Sequence, residues 1–254
     1  SFYVIKIASG FGENNQLGLK PGQGMMLLFD IATGIPKAVL IDQANLTDLR
    51  TGIAGAMASN LLVNQDINSA AIIGTGVQAR YQARCLMDLM PIKTINVWGR
   101  DSDKSTALQK DLSDLEVDLV IHKDLAALVS EARLIITTTS SKKAIIQSDW
   151  VQPGTHITAV GSDTPEKCEL DVNILARADI VVADSITQNE LRGEVHQALK
   201  SGLIEVSSLI EIGQIFEGSA QGRSHYDQIT VADLTGVAVQ DLVIAEAVYK
   251  AAIS

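Results

Sequence analysis

The sequence is short of the residues that define several kinds of protein. It has 2 cysteines in 254 residues, Cys85 and Cys168, far apart and outside any C-x-x-C pair. That excludes a disulfide scaffold and a cysteine-built zinc site, and makes a reducing cytoplasm the expected location. His122, His156, His196 and His225 are scattered without ligand spacing, so no metal is expected. Positive charge is scarce: 20 Lys and Arg stand against 30 Asp and Glu, a net charge of −10, with no basic block. Such a chain is poorly suited to nucleic acid or an anionic membrane surface. No apolar run approaches the ~18 residues of a membrane span. The opening Ser1-Phe2-Tyr3-Val4-Ile5-Lys6 lacks the pattern of a signal peptide. There is no internal repeat and no Pro/Ser linker. What remains is a hydrophobic content of 46% with 20% charged residues, the composition of a folded globular protein. At ~150 residues per domain the length fits one large domain or two modest ones.

Strand-like and helix-like stretches alternate through the middle. Ser69–Ile73, Thr94–Trp98, Val117–Ile121, Leu134–Thr138, His156–Val160 and Ile180–Ala183 are short, rich in Val, Ile or Thr, and apolar on both faces. Strands covered by helices on each side must read this way. Val77–Met90, Lys104–Leu112, Leu125–Glu131 and Val172–Ala176 read as helices between them. The alternation predicts an α/β fold with a doubly wound parallel sheet over residues 66–236. The flanks differ. Residues 1–47 set Gly-rich turns between β-type stretches such as Met25–Asp30 and Lys37–Leu40, which predicts a small separate sheet. Leu46-Thr47-Asp48 opens an Ala-rich helix reaching about Leu62, and Ser207–Phe216 and Val239–Ala252 read as helices. Residues 1–65 with 237–254 are therefore expected to form a second, smaller α+β domain.

In Ile73-Gly74-Thr75-Gly76-Val77-Gln78-Ala79 a buried strand runs through G-x-G-x-x-A into a helix. Gly74 permits the tight turn and Gly76 lets backbone approach a pyrophosphate. Ala79 keeps helix and strand close, while the helix N-terminus offers N–H donors. The motif alone is weak, but after a strand, opening a helix and starting a βαβ series, it predicts a Rossmann-type dinucleotide site. No G-K-[ST] follows, so it is no P-loop. About 20 residues on, an acidic side chain would bind the ribose of NAD, and an Arg would accommodate the 2′-phosphate of NADP. Gly99 and Arg100 stand there, with Lys104 nearby, which favours NADP; NAD stays possible with Asp101 as a displaced ribose ligand.

These residues belong to a longer set that resembles the ornithine cyclodeaminase/mu-crystallin family. The set includes Tyr3-Val4-Ile5-Lys6, Gly24-Met25-Met26-Leu27-Leu28-Phe29-Asp30, Leu46-Thr47-Asp48-Leu49-Arg50-Thr51-Gly52, Ala159-Val160-Gly161-Ser162-Asp163-Thr164-Pro165 and Asp233-Leu234-Thr235-Gly236-Val237-Ala238. The resemblance implies a Rossmann domain and a second domain that forms a homodimer. It also implies that relatives carry several tens of residues ahead of the Lys6 strand. It assigns Lys6 and Arg50 to the substrate carboxylate and Asp163 to acid/base work at an amine or imine nitrogen. Thr138, Val160, Asp233 and Val237 would border the cofactor. Each has a plainer reading: a solvent-facing edge Lys, a helix-surface Arg in an ion pair, and an Asx-turn or cap before Pro165. Glu194, in a Gly-acidic pair that relatives also have, is given no role, and Cys85 is read as core.

The family's cyclodeaminases have a polar residue after the Gly-Leu pair of the pocket, whereas here Gly18-Leu19 is followed by Lys20-Pro21. With Gly99-Arg100 this moves the expectation toward an NAD(P)H-dependent reductase of a small cyclic 2-imino carboxylate. The alternatives are ornithine cyclodeaminase, an alanine dehydrogenase-like enzyme, and a non-enzymatic NADPH-binding protein of crystallin type.

Overall fold

The computed structural model describes residues 1–20 and 22–254, so Pro21 of the Lys20-Pro21 pair lies outside the described residues. The chain divides into two compact units, Ser1–Arg50 with Val237–Ser254, and Thr51–Gly236. The division falls inside helix α1 (Asn45–Leu62) rather than at the expected residue 65. The reason is packing: Gly52 lies against Tyr81 and Cys85, and Ser59 hydrogen-bonds Thr158 at 2.8 Å, so the helix from Thr51 onward belongs with the larger sheet.

The smaller unit is an antiparallel sheet of β1 (Phe2–Gly10), β2 (Gly22–Asp30) and β3 (Pro36–Ile41), with the last helix, α9 (Ala238–Ile253), packed on β1 and β2. Strand side chains alternate between faces, and helix residues four apart share one. Phe2, Val4 and Lys6 therefore share a face of β1, and Asp241, Ala245 and Tyr249 share a stripe of α9. Met26, Leu28 and Ala245 form the buried centre, with Phe2, Val4 and Tyr249 packed around it. The rings of Phe2 and Tyr249 meet edge to face at 5.4 Å. The register puts Tyr3, Ile5, Ile7, Met25, Leu27, Phe29, Val39 and Ile41 on the other face. That face is apolar, and Ile7, Val39 and Ile41 are 52%, 59% and 75% exposed.

The larger unit holds β4 (Ser69–Ile73), β5 (Thr94–Trp98), β6 (Asp118–His122), β7 (Leu134–Thr137), β9 (His156–Ala159), β11 (Ile180–Ala183), β12 (Leu209–Glu211) and β13 (Thr230–Asp233) in one eight-stranded sheet of order β12-β11-β13-β9-β7-β4-β5-β6. All its pairings are parallel. β8 (Lys142–Ile146) and β10 (Cys168–Leu170) form a small parallel pair. The helices are α2 (Val77–Leu89), α3 (Ser102–Asp111), α4 (Leu125–Glu131), α5 (Val172–Arg177), α6 (Ile186–Asn189), α7 (Glu194–Lys200) and α8 (Ile212–Phe216). Asp101, Asp124 and Asp171 cap α3, α4 and α5 by accepting backbone N–H bonds. The doubly wound sheet is as expected, with two more strands. Ser207–Phe216 is not one helix: Leu209–Glu211 pairs with β11 as the sheet's edge, and only Ile212–Phe216 is helical. No helix among the described residues is long and apolar enough to cross a membrane.

Three carboxylates lie wholly inside this unit, and their hydrogen-bond donors are neutral. Glu169 accepts from Thr137 Oγ1 and from the N–H of Thr139 and Gly161. Glu194 accepts from the N–H of Glu169 and Leu170. Asp233 Oδ2 accepts from Asn189 and from Val195 N–H, and its Oδ1 has no partner. Burial pushes Glu169 up to about 7, Glu194 to about 8 and Asp233 to about 7. Above pH 4 to 5 the unfolded chain has released protons that the fold retains, so stability declines as pH rises through these values. His156, also buried, is lowered to about 3, so its contribution is lost on the acid side, as pH falls below about 6.5. The melting temperature should therefore fall between about pH 5 and pH 8 and level off above. Asp233→Asn, which keeps the Oδ2 acceptor, should flatten that fall; an unchanged slope would assign the limb to other groups.

Candidate active site

The sheet's direction of growth reverses between β4, which leads outward to β5 and β6, and β7, which begins the other half. Ligands of open α/β sheets bind at the carboxyl ends of the strands at such a reversal. An open crevice of about 210 Å³ is found there, lined by the loops after β4, β5 and β7: Gly74, Thr75, Gly76, Gly99, Arg100 and Thr138 among them. Gly74 has φ +132°, its N–H donates to Trp98 O at 2.8 Å, and a Cβ on it would overlap Thr138 Oγ1. Gly76 begins α2 without a side-chain cap, and a Cβ there would enter open space. No side chain caps this end of α2, and the N–H groups of a helix N-terminus are the donors that a pyrophosphate takes. Val77 and Gln78 form the first turn of α2, and Ala79 is fully buried beneath it.

At the tip of β5, Asp101 Oδ1 is engaged by Asp103 N–H and Lys104 N–H. Arg100 is exposed and makes no hydrogen bond or ion pair among the described residues, and Lys104 also lines the crevice. Thr138 donates to Ile73 O at 3.3 Å, which ties the two loops together. Val160 is buried and its N–H donates to Thr137 O at 3.0 Å. Asp233 is enclosed against α6 and α7 instead of lining this crevice, and Val237 is the N-cap residue of α9 in the smaller unit. Asp163 is exposed on the loop after β9 and pairs with Lys167.

In the smaller unit Lys6 Nζ lies 2.9 Å from Asp241 Oδ1, and Arg50 Nε lies 3.3 Å from the same oxygen. Arg50 Nη1 donates to Gln240 Oε1 at 2.8 Å. All three charged side chains are mostly buried, at 20%, 14% and 13% exposure for Lys6, Arg50 and Asp241. The structure thus brings Lys6 and Arg50 together on one carboxylate.

The model of the ornithine cyclodeaminase/mu-crystallin family matches residues 1–254. The chain belongs to that family. It is 42% identical over 253 residues to an uncharacterized cyclodeaminase of Sinorhizobium fredii, covering 98% of this chain and 76% of the relative. Among solved family structures it resembles an archaeal alanine dehydrogenase dimer with bound NAD, with a TM-score of 0.92, 31% identity and coverage of 99% and 78%. It also resembles the Δ1-pyrroline-2-carboxylate reductase of Thermococcus litoralis, in complex with NADH and L-proline, at a TM-score of 0.89, 26% identity and coverage of 98% and 78%.

Sequence reasoning missed two residues that hold the expected ones in place, Arg80 and Asp241. Arg80 donates to the carbonyls of Thr75 and Gly76 and pairs with Asp111, which fixes the glycine loop from below. Its position on the first turn of α2 was the available signal. Asp241 could have been found as a charge in the α9 stripe that otherwise holds Ala245 and Tyr249. The two loop glycines should respond differently to a methyl group. Gly74→Ala should cost about 1–3 kcal/mol through its backbone strain and its collision with Thr138. Gly76→Ala, at φ −81°, should stay within about 0.5 kcal/mol. Urea unfolding midpoints measure both, and equal losses would contradict the loop geometry.

Proposed function

We propose that the chain is an NADPH-dependent reductase of a small cyclic 2-imino carboxylate, Δ1-pyrroline-2-carboxylate or Δ1-piperideine-2-carboxylate. The observation that carries this reading is the pairing of Lys6 and Arg50 on one buried carboxylate, which leaves two cations and one anion at a single spot. Such a spot suits a substrate carboxylate. Arg50 offers a planar fork of donors and Lys6 a point charge.

The crevice residues fit a dinucleotide. The open approach at Gly76 and the uncapped N-terminus of α2 suit a pyrophosphate. The unpaired Arg100 with Lys104 suits a 2′-phosphate; Asp101, also on the crevice, uses Oδ1 to cap α3 and sets Oδ2 3.9 Å from Lys104. A bound nicotinamide dinucleotide supplies the hydride that the imine carbon receives. Asp163 is read as the group at the ring nitrogen, stabilising the iminium or passing on the proton that nitrogen takes up as C=N becomes C–N, with Lys167 as its standing partner. An acid placed at the nitrogen is worth ~10²–10⁴-fold in rate. The exposed apolar face of β1–β3 is read as the seat of a second copy of the chain, since soluble monomers rarely leave a contiguous apolar patch of this kind bare.

The Sinorhizobium relative, an uncharacterized cyclodeaminase, supports a second reading as a cyclodeaminase, for which ornithine, giving proline and ammonia, is the substrate to test. One assay separates the two. The reductase oxidises NADPH stoichiometrically with the cyclic imines, while the cyclodeaminase releases ammonia from ornithine with no net change in the dinucleotide. Arg50→Ala should lower kcat/KM for the imine about 10–100-fold, the value of a hydrogen bond to a charged group. Absence of imine turnover by the intact protein overturns the reductase. Arg100→Ala should raise KM for NADPH about tenfold and leave that for NADH unchanged. Equal effects on both would remove Arg100 from the 2′-phosphate.

A further inference from the structure

We propose that Asp241 is a positioning residue that gathers Lys6 and Arg50 into one receptor for a carboxylate. The inference rests on the carboxylate-binding role given to those two cations above. It starts from two periodicities. Along β1 the inward positions run Phe2, Val4, Lys6, and along α9 they run Tyr249, Ala245, Asp241. Phe2 meets Tyr249 at one end of this contact, and Lys6 meets Asp241 at the other. The apolar part of the packing thus carries the two charges to the same place. Arg50 arrives there from α1: its Nη1 donates to Gln240 Oε1, and its Nε lies 3.3 Å from Asp241 Oδ1 as an ion pair without a hydrogen bond.

Two like charges brought together off the solvent repel unless an anion sits with them. Asp241 is that anion, and one carboxylate against two cations leaves a formal surplus of positive charge for a ligand. A plainer role for Asp241 is the general preference for acids in a helix's first turn. Its side chain, however, is turned to Lys6 and Arg50, and α9 has no side-chain cap. The orientation of the two cations is therefore what the residue provides.

The experiment compares wild type, Asp241→Asn and Gln240→Leu by calorimetry with two probes of one shape. Pyrrole-2-carboxylate is anionic and pyrrole-2-carboxamide is neutral. Asp241→Asn should raise the Kd of the carboxylate at least tenfold and leave that of the carboxamide and of NADPH unchanged. Gln240→Leu, which releases one nitrogen of Arg50 without changing charge, should raise it about threefold. In turnover, the loss should fall on KM for the imine rather than on kcat. Unchanged carboxylate affinity in both variants overturns the inference even where wild type reduces the imine, and so does a wild type that binds neither probe. Should Asp241→Asn fail to fold, Gln240→Leu decides alone. Failure of wild-type turnover, with carboxylate binding still sensitive to Asp241, would sink the reductase and leave this receptor standing.

Discussion

Two cations cannot share a poorly hydrated place without an anion, and the smaller unit is arranged around that requirement. Lys6 reaches the place because strand alternation puts it on the same side as Phe2 and Val4. Asp241 reaches it because helix spacing puts it in line with Ala245 and Tyr249. The aromatic contact and the ion pair are two ends of one packed seam. An error of one residue in the register of β1 would turn Lys6 outward and bury Ile5 or Ile7 in its stead. The charge pair therefore depends on the hydrophobic pattern, because the register that buries Phe2 and Val4 is the one that brings Lys6 to Asp241.

The larger unit solves a different problem, that of holding three loops in place at the carboxyl ends of strands. Gly74 N–H on Trp98 O and Thr138 on Ile73 O tie the loops after β4, β5 and β7, and Glu169 adds the loop after β9. Its carboxylate accepts from Thr139 in the loop after β7 and from Gly161 in the loop after β9, two residues ahead of Asp163. Glu194 fixes the backbone of Glu169 in turn. A buried acid whose donors are all neutral is strained electrostatically, which is why burial raises it to about 7. The rigidity of the crevice wall is obtained at that cost.

The central strands were legible because parallel strands covered on both faces must be apolar throughout, and Ser69–Ile73 and Thr94–Trp98 match to the residue. The glycine loop was legible because Gly74 and Gly76 stand in the one context that gives them meaning. Edge strand Leu209–Glu211 was not, since Ser207–Phe216 carries no contrast between strand and helix patterns and only its pairing with β11 decides. The division of the chain was misplaced because composition does not change along α1, where Gly52 alone marks the turn toward Tyr81 and Cys85. Lys6 and Arg50 were found through family likeness. Asp241 carries no motif of its own; the α9 stripe marks it as an inward charge, and the meeting of β1 with α9 shows its partner.

The crowding behind Gly99 constrains how this chain could evolve. A Cβ there would come within 2.5 Å of Thr75 Cγ2 and 3.2 Å of Ser105 Oγ. A side chain at Gly99 would require the Thr75 methyl to shift. The residue at the tip of β5 and the one inside the glycine loop are thus sterically coupled, so a change at position 99 is felt at position 75.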